Sequence, residues 1–243
     1  KRKKVEASKS TDKLLLSGPA YAGWELDKHI PGYSIYVKGL IHDLTSFKHP
    51  GIWPGTKEGI ENNEMYFSAP QSKEALKPII RSFLKKCFDA ICQDQKKPIL
   101  QEDNTHNLLY AGDLLSMFPE GKMIHIIRDP RDVISSLKSQ RWAPNNINDL
   151  VAWYSAVMSQ WQTQKSQLDS TQFKEIRFEN LIDKPEKTVH EICGFLGIEY
   201  HSRLLEIDLS KHNIGRYKND LTAPEISAIE TGTAELLQEY NYN

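Results

Sequence analysis

The sequence predicts an α/β fold, a parallel sheet flanked by helices. Three observations carry that prediction. Short apolar runs rich in β-branched residues alternate with stretches whose apolar residues recur at spacings of three and four. One such run, Met123–Ile127, passes through a charged Asp129-Pro130-Arg131-Asp132 turn straight into the helical spacing of Val133, Ile134 and Leu137. And 243 residues suffice for one large domain, 1–243, with a substantial core.

The elements follow in chain order. Residues 12–71 are rich in Gly, Pro and aromatics, with apolar runs only at Leu14 to Leu16 and Ile35 to Val37, and read as turns, short strands and loops. From Ser72 a helix is expected over 72–93, because Leu76, Ile79, Ile80, Phe83, Leu84, Cys87, Phe88 and Ile91 share one face. Pro78 falls in its first turns, where proline is best tolerated. Residues 97–100 form a short candidate strand, and 108–118 a helix stopped at Pro119-Glu120-Gly121. The strand Met123–Ile127 follows. A helix over 149–168 carries Trp153, Ala156, Val157 and Trp161 on one face. Residues 174–178 are a strand, 186–196 a helix closed by Gly197, and 224–238 the final helix.

Bulk properties exclude several function classes. Lys+Arg 31 against Asp+Glu 32 leaves no basic excess for reading nucleic-acid phosphates. The basic tetrad Lys1-Arg2-Lys3-Lys4 reads as a solvated terminus, or else as a targeting or membrane-flanking signal. Cys87, Cys92 and Cys193 are too few and too scattered for a disulfide framework or a zinc site. No run approaches the ~18 apolar residues of a membrane span, and there is no Asn-x-Ser/Thr sequon. The expectation is a cytoplasmic protein, or a Golgi-lumenal one if the chain is a fragment without its anchor.

Chemistry concentrates at the turn after Met123–Ile127. Arg128 stands at the carboxyl end of the strand, where open α/β sheets bind ligands, and Ser136 lies two turns into the helix. A guanidinium fork, a hydroxyl donor and a helix N-terminus together suit a phosphate. The plain alternative is an ordinary strand–turn–helix whose Arg-Asp cluster is a surface ion pair.

The spacing of Arg128 and Ser136 resembles the 3′-phosphate motif of PAPS-dependent sulfotransferases, of the broad bacterial and Golgi type. Three further segments are similar to that family. Ile176-Arg177-Phe178-Glu179-Asn180-Leu181, followed by Pro185 and by Phe195-Leu196-Gly197, resembles its "YEDL" turn and "FLG" helix. Phe178 replaces the usual tyrosine; the resemblance places it near the adenine, where an aromatic face suits stacking, and a core aromatic is the alternative. Gly215-Arg216-Tyr217-Lys218 resembles the family's segment before its last helix, which makes Arg216 a second phosphate ligand. Leu100 to Leu109 occupies the place of its "EKTPxN" or "KTHLP" segment, and the second variant makes His106 the general base; an imidazole of ordinary pKa, about 6.5, can take a hydroxyl proton at neutral pH. The family's lysine is replaced there by Asp103, and His106 as a helix-start residue is the alternative.

Residues 72–243 match the family well and 1–71 poorly. The family's 5′-phosphosulfate loop, whose glycine and backbone amides cradle the phosphosulfate, has no clean copy. The nearest wording is Ser8-Lys9-Ser10-Thr11, so Lys9, Ser10 and Thr11 are taken as its candidates; Ser17-Gly18-Pro19 and Lys38-Gly39 are others. The resemblance implies a P-loop-like sulfotransferase fold and transfer of a sulfuryl group from PAPS to a hydroxyl or amine acceptor, releasing PAP, without a metal. The acceptor would be a small molecule or a carbohydrate, with no nucleic-acid partner. A non-catalytic PAP-binding protein is the alternative, and an ATP-using P-loop kinase is disfavoured because no GxxxxGK[ST] occurs.

Overall fold

The computed structural model of the chain describes residues 26–50, 64–68, 71–140, 143–209 and 213–242. It divides into two compact units, Lys1–Asp103 and Asn104–Asn243.

In the first unit, α1 (Leu26–His29) and α2 (Tyr33–Leu44) precede a hairpin of β1 (Phe47–Pro50) and β2 (Glu64–Phe67), and α3 (Lys73–Gln95) closes the unit. The expected strand around Ile35 to Val37 is helix instead. Tyr33, Tyr36, Val37, Leu40, Ile41 and Leu44 recur at helical spacing, a pattern that the short β-branched run hides. Gly32 precedes that helix at φ 78, a conformation that suits glycine. β1 and β2 pair antiparallel with Phe47 opposite Phe67, and their rings stack 4.7 Å apart. Ser72 caps α3 by accepting the Ala75 N–H, as the periodicity of 72–93 predicts. Residues 97–100 join no sheet; Pro98 has no N–H to give a ladder.

The second unit opens with a 3₁₀ segment, Thr105–Tyr110, that continues as α4 (Ala111–Met117). Then come β3 (Met123–Ile127), α5 (Pro130–Lys138), α6 (Ile147–Lys165), β4 (Phe173–Arg177), α7 (Phe178–Asp183) and α8 (Pro185–Leu196). After a 3₁₀ turn at Ser202–Leu205 the chain ends in α9 (Tyr217–Asp220), α10 (Ala223–Gly232) and α11 (Ala234–Glu239). β3 and β4 pair in parallel, Ile126 beside Ile176, which is the predicted pairing of strands across intervening helices. The architecture is helix-rich with this small parallel sheet.

Three expectations need correction here. Phe178 begins a helix and does not end the strand, because Phe178–Asp183 turn away from the ladder at once. The final helix breaks at Thr233, whose hydroxyl bonds back to the Ile229 carbonyl. On α6 the buried stripe is Leu150, Val151, Tyr154, Met158 and Trp161; Ala156 is exposed and Trp153 packs at the margin. The sheet meets this stripe at Trp161, through the rings of His125 and Phe173, and α10 meets it at Val151. Ile134 of α5 and Ile229 of α10 complete a core around Trp161, all fully buried. Cys87 and Cys193 are buried thiols and Cys92 is half-buried. Among the described residues no helix is long and apolar enough to cross a membrane, and no cluster of His, Cys, Asp or Glu could hold a metal ion.

Candidate anion-binding site

The turn between β3 and α5 starts from local sequence chemistry. Asp129 caps α5, accepting the Arg131 N–H at 2.9 Å, and Pro130 supplies a preset φ at the first helical position. The charged residues after it are not solvated. Arg131 is 6% exposed and forms a fork with both Asp129 oxygens (2.8 to 3.2 Å), while its other nitrogen reaches Glu230 at 2.9 Å. Its guanidinium also lies 4.7 Å from the Tyr217 ring centroid. The hydrogen bonds from Arg131 to Asp129 outweigh burial and raise the guanidinium pKa further, fixing the charge.

Asp132 is fully buried. Its carboxylate accepts the backbone N–H of Gly215 at 2.8 Å and of Tyr217 at 3.1 Å, and the Arg128 Nη2 at 3.2 Å. One carboxylate therefore ties the segment 213–217 to the end of β3. Arg128 also donates to the Asn213 carbonyl, at 2.5 Å, and stacks over the Phe178 ring at 5.0 Å. Its Nε is buried and has no hydrogen-bond partner among the described residues. A part-exposed guanidinium with a buried, unused Nε donor, beside backbone turned by Asn213 (φ 53) and Gly215 (φ 74), suits an anion that would satisfy it.

Of the residues singled out from sequence, the structure brings together Arg128, Phe178 and the Gly215-Arg216 segment. Phe178 carries the Arg128 guanidinium on its face. Ser136 lies half-buried on α5, and its hydroxyl has no partner among the described residues. Arg216 points its Nε (2.8 Å) and Nη2 (2.7 Å) at Asp220, which holds the Asp220 carboxyl below its ordinary range. Asp220 also receives the hydroxyl of Ser135, the neighbour of Ser136, at 3.3 Å. His106 is exposed at the start of the 3₁₀ segment, and both its backbone N–H and its Nδ1 address Asn104 (2.9 and 3.3 Å). Lys9, Ser10 and Thr11 lie outside the described residues, as do Ser17 to Pro19.

Sequence reasoning missed Asp132, Glu179 and the chain's closing tyrosines. Glu179 accepts the Asp129 N–H at 3.1 Å and the Tyr242 hydroxyl at 2.8 Å. Glu175, four residues earlier on β4, collects Trp161 Nε1 (2.9 Å), Tyr240 (3.1 Å), His125 (3.3 Å) and Lys165. Burial pushes the Glu175 carboxyl up, but the donors from His125, Lys165 and Trp161 win and hold it at about 2. The signal available was spacing: Asp132 and Arg128 are four apart, and an acid inside a helix start so close to an arginine is not needed for solubility.

Comparison with known proteins adds an independent line. The model of the sulfotransferase family matches residues 44–202. Two mycobacterial relatives, from Mycobacterium bovis and Mycobacterium tuberculosis, are each named omega-hydroxy-beta-dihydromenaquinone-9 sulfotransferase. Each is 24% identical over 240 residues, covering 90% of this chain and 59% of the relative. An uncharacterized protein of Aquifex aeolicus is 26% identical over 152 residues, covering 56% of this chain and 19% of its own length. The chain thus spans less than two thirds of each of these relatives.

Proposed function

The chain belongs to the sulfotransferase family, and from that premise we propose that it transfers a sulfuryl group from PAPS to a hydroxyl or amine of a small-molecule or carbohydrate acceptor, releasing PAP. The observation that carries the reading is Arg128: a guanidinium at the carboxyl end of β3, propped on Phe178, with a buried Nε that lacks a partner among the described residues. Arg128 and Ser136 would hold the 3′-phosphate. Arg216 would join them by sharing its guanidinium between Asp220 and the phosphate. Two mycobacterial relatives are named for an omega-hydroxy acceptor, which favours a hydroxyl over an amine.

PAPS supplies the group transferred. In the balanced step the acceptor oxygen forms its bond to sulfur, the bond from sulfur to the 5′-phosphate oxygen breaks, and the electron pair leaves with PAP. The acceptor proton passes to His106, whose exposure leaves its ring open to a substrate. As in phosphoryl transfer, rate would come from positioning and charge stabilisation. Lys9, Ser10 and Thr11 are the proposed contacts of the 5′-phosphosulfate, in a P-loop-like arrangement.

A nucleotide panel tests the reading. PAP should raise the melting temperature with the logarithm of its concentration above Kd, whereas ATP and adenosine 5′-phosphosulfate, which lack the 3′-phosphate, should not. Labelled sulfate should then move from PAPS to a hydroxyl acceptor. PAP binding without transfer to any acceptor would leave the non-catalytic PAP-binding reading in its place. No response to PAP overturns both.

A further inference from the structure

The first turn of α7 grips the Arg128-Asp129 peptide from two sides. Phe178 lies under the Arg128 guanidinium, and the adjacent Glu179 accepts the Asp129 N–H at 3.1 Å. The second oxygen of Glu179 is held in turn by the Tyr242 hydroxyl at 2.8 Å. Tyr242 is 7% exposed, and the Arg177 guanidinium covers its ring at 4.3 Å while lying 3.9 Å from the Glu179 carboxylate. Burial and the Glu179 carboxylate raise the phenol pKa, so the hydroxyl stays protonated as a donor. Two turns of chemistry thus meet at one carboxylate: it accepts from the backbone beside the anion site on one oxygen and from the closing tyrosine on the other. A carboxylate so close to an anion site needs its charge dispersed, and Tyr242 and Arg177 are the groups that do so.

We propose that Tyr242, acting through Glu179, is a positioning residue for the Arg128 anion site. The inference rests on the reading of Arg128 as a phosphate ligand. Tyr242 touches neither phosphate nor acceptor. It fixes the rotamer of Glu179, Glu179 fixes the Arg128-Asp129 peptide plane, and that plane aims the guanidinium over Phe178. Without the hydroxyl the carboxylate is free to swing toward Arg128 and compete with the phosphate for it.

The test uses Tyr242→Phe, which keeps the ring under Arg177 and removes one oxygen, together with Glu179→Gln and the double variant of the full chain. PAP affinity by calorimetry should fall about threefold to tenfold in Tyr242→Phe, and the double variant should bind no worse than Glu179→Gln alone. The KM for PAPS should rise with kcat unchanged. The Asp129 amide should exchange about tenfold faster in Tyr242→Phe, by site-resolved hydrogen exchange. A purely structural role would lower the melting temperature and leave the affinity of the folded protein unchanged, and that result overturns the proposal. So does a double variant whose losses simply add. If wild-type protein ignores PAP, the phosphate reading has failed by itself, and the Asp129 amide then decides: faster exchange keeps the clasp, unchanged exchange sinks it.

Discussion

Asp132 and Gly215 are hydrogen-bonded across 83 residues of sequence, the buried carboxylate accepting the glycine N–H at 2.8 Å. The same carboxylate serves Tyr217 and Arg128, so a single side chain joins the two segments that frame the candidate site. Its negative charge is tolerable in the interior because each partner is a donor and one is a cation.

Removing that acceptor should therefore be costly. Asp132→Ala leaves two backbone N–H groups and part of a guanidinium unpaired, and about 3 kcal/mol of stability should be lost. Asp132→Asn should lose less, since one oxygen remains. Chemical denaturation measures both. An Asp132→Ala variant as stable as wild type would show that the segment 213–217 does not depend on this carboxylate.

Arg128→Ala should abolish the PAP-induced melting shift while the protein stays folded, because Asp132 keeps its two backbone donors. Arg128→Lys should recover little of the shift. An ammonium carries the charge but neither the fork nor the flat face that rests on Phe178. Melting curves with and without PAP separate these outcomes, and a full shift in Arg128→Ala would remove the central assignment.

His106→Ala should behave in the opposite way. The side chain is exposed and, among the described residues, bonded only to Asn104, so stability should change by no more than about 0.5 kcal/mol. PAP affinity should be retained, while sulfuryl transfer falls about a hundredfold or more if His106 takes the acceptor proton. Transfer at the wild-type rate would assign the base elsewhere.

Glu175 makes stability depend on pH in the acid range. Its folded pKa, about 2, lies below the ordinary carboxyl value, so the unfolded chain binds the proton more tightly. The carboxylate's contribution is full above the unfolded pKa of about 4.3 and is lost as pH falls toward about 2. Denaturation midpoints should drop through that window. In Glu175→Gln the slope should flatten, with a lower plateau at neutral pH because Lys165 loses its nearer charge partner and keeps only Glu239 at 4.0 Å among the described residues.

At Gly232 the constraint is space. A Cβ there would stand 2.3 Å from Val151 Cγ1, on a valine that is itself buried in α6. Gly232→Ala should cost about 1 to 3 kcal/mol through displacement of α10 from α6. Gly215→Ala meets no neighbouring atom, and its penalty of about 1 kcal/mol should come only from φ 74. The two variants compared by thermal melting distinguish crowding from backbone strain.

Local chemistry was enough to read β3 to the residue, the passage from it through a charged turn into a helix, and the Gly197 stop of α8 at φ 71. Each depends on residues within a few positions of one another, where pattern and propensity act. It put forward Arg128 as a candidate, and it failed at Ile35, where helical spacing and β-branching point in opposite directions within one short run. The charges of the Asp-Pro-Arg-Asp turn could be read only as a surface pair or a ligand site. Tertiary structure decided otherwise: it buries Arg131 between Asp129 and Glu230, and Asp132 beneath Gly215 and Tyr217. It also brings Tyr242 to Glu179, 63 residues away. Whether a charge in a turn is solvated or buried depends on which distant backbone donors arrive to meet it, and contacts across 60 to 100 residues leave no periodic trace in the chain that makes them.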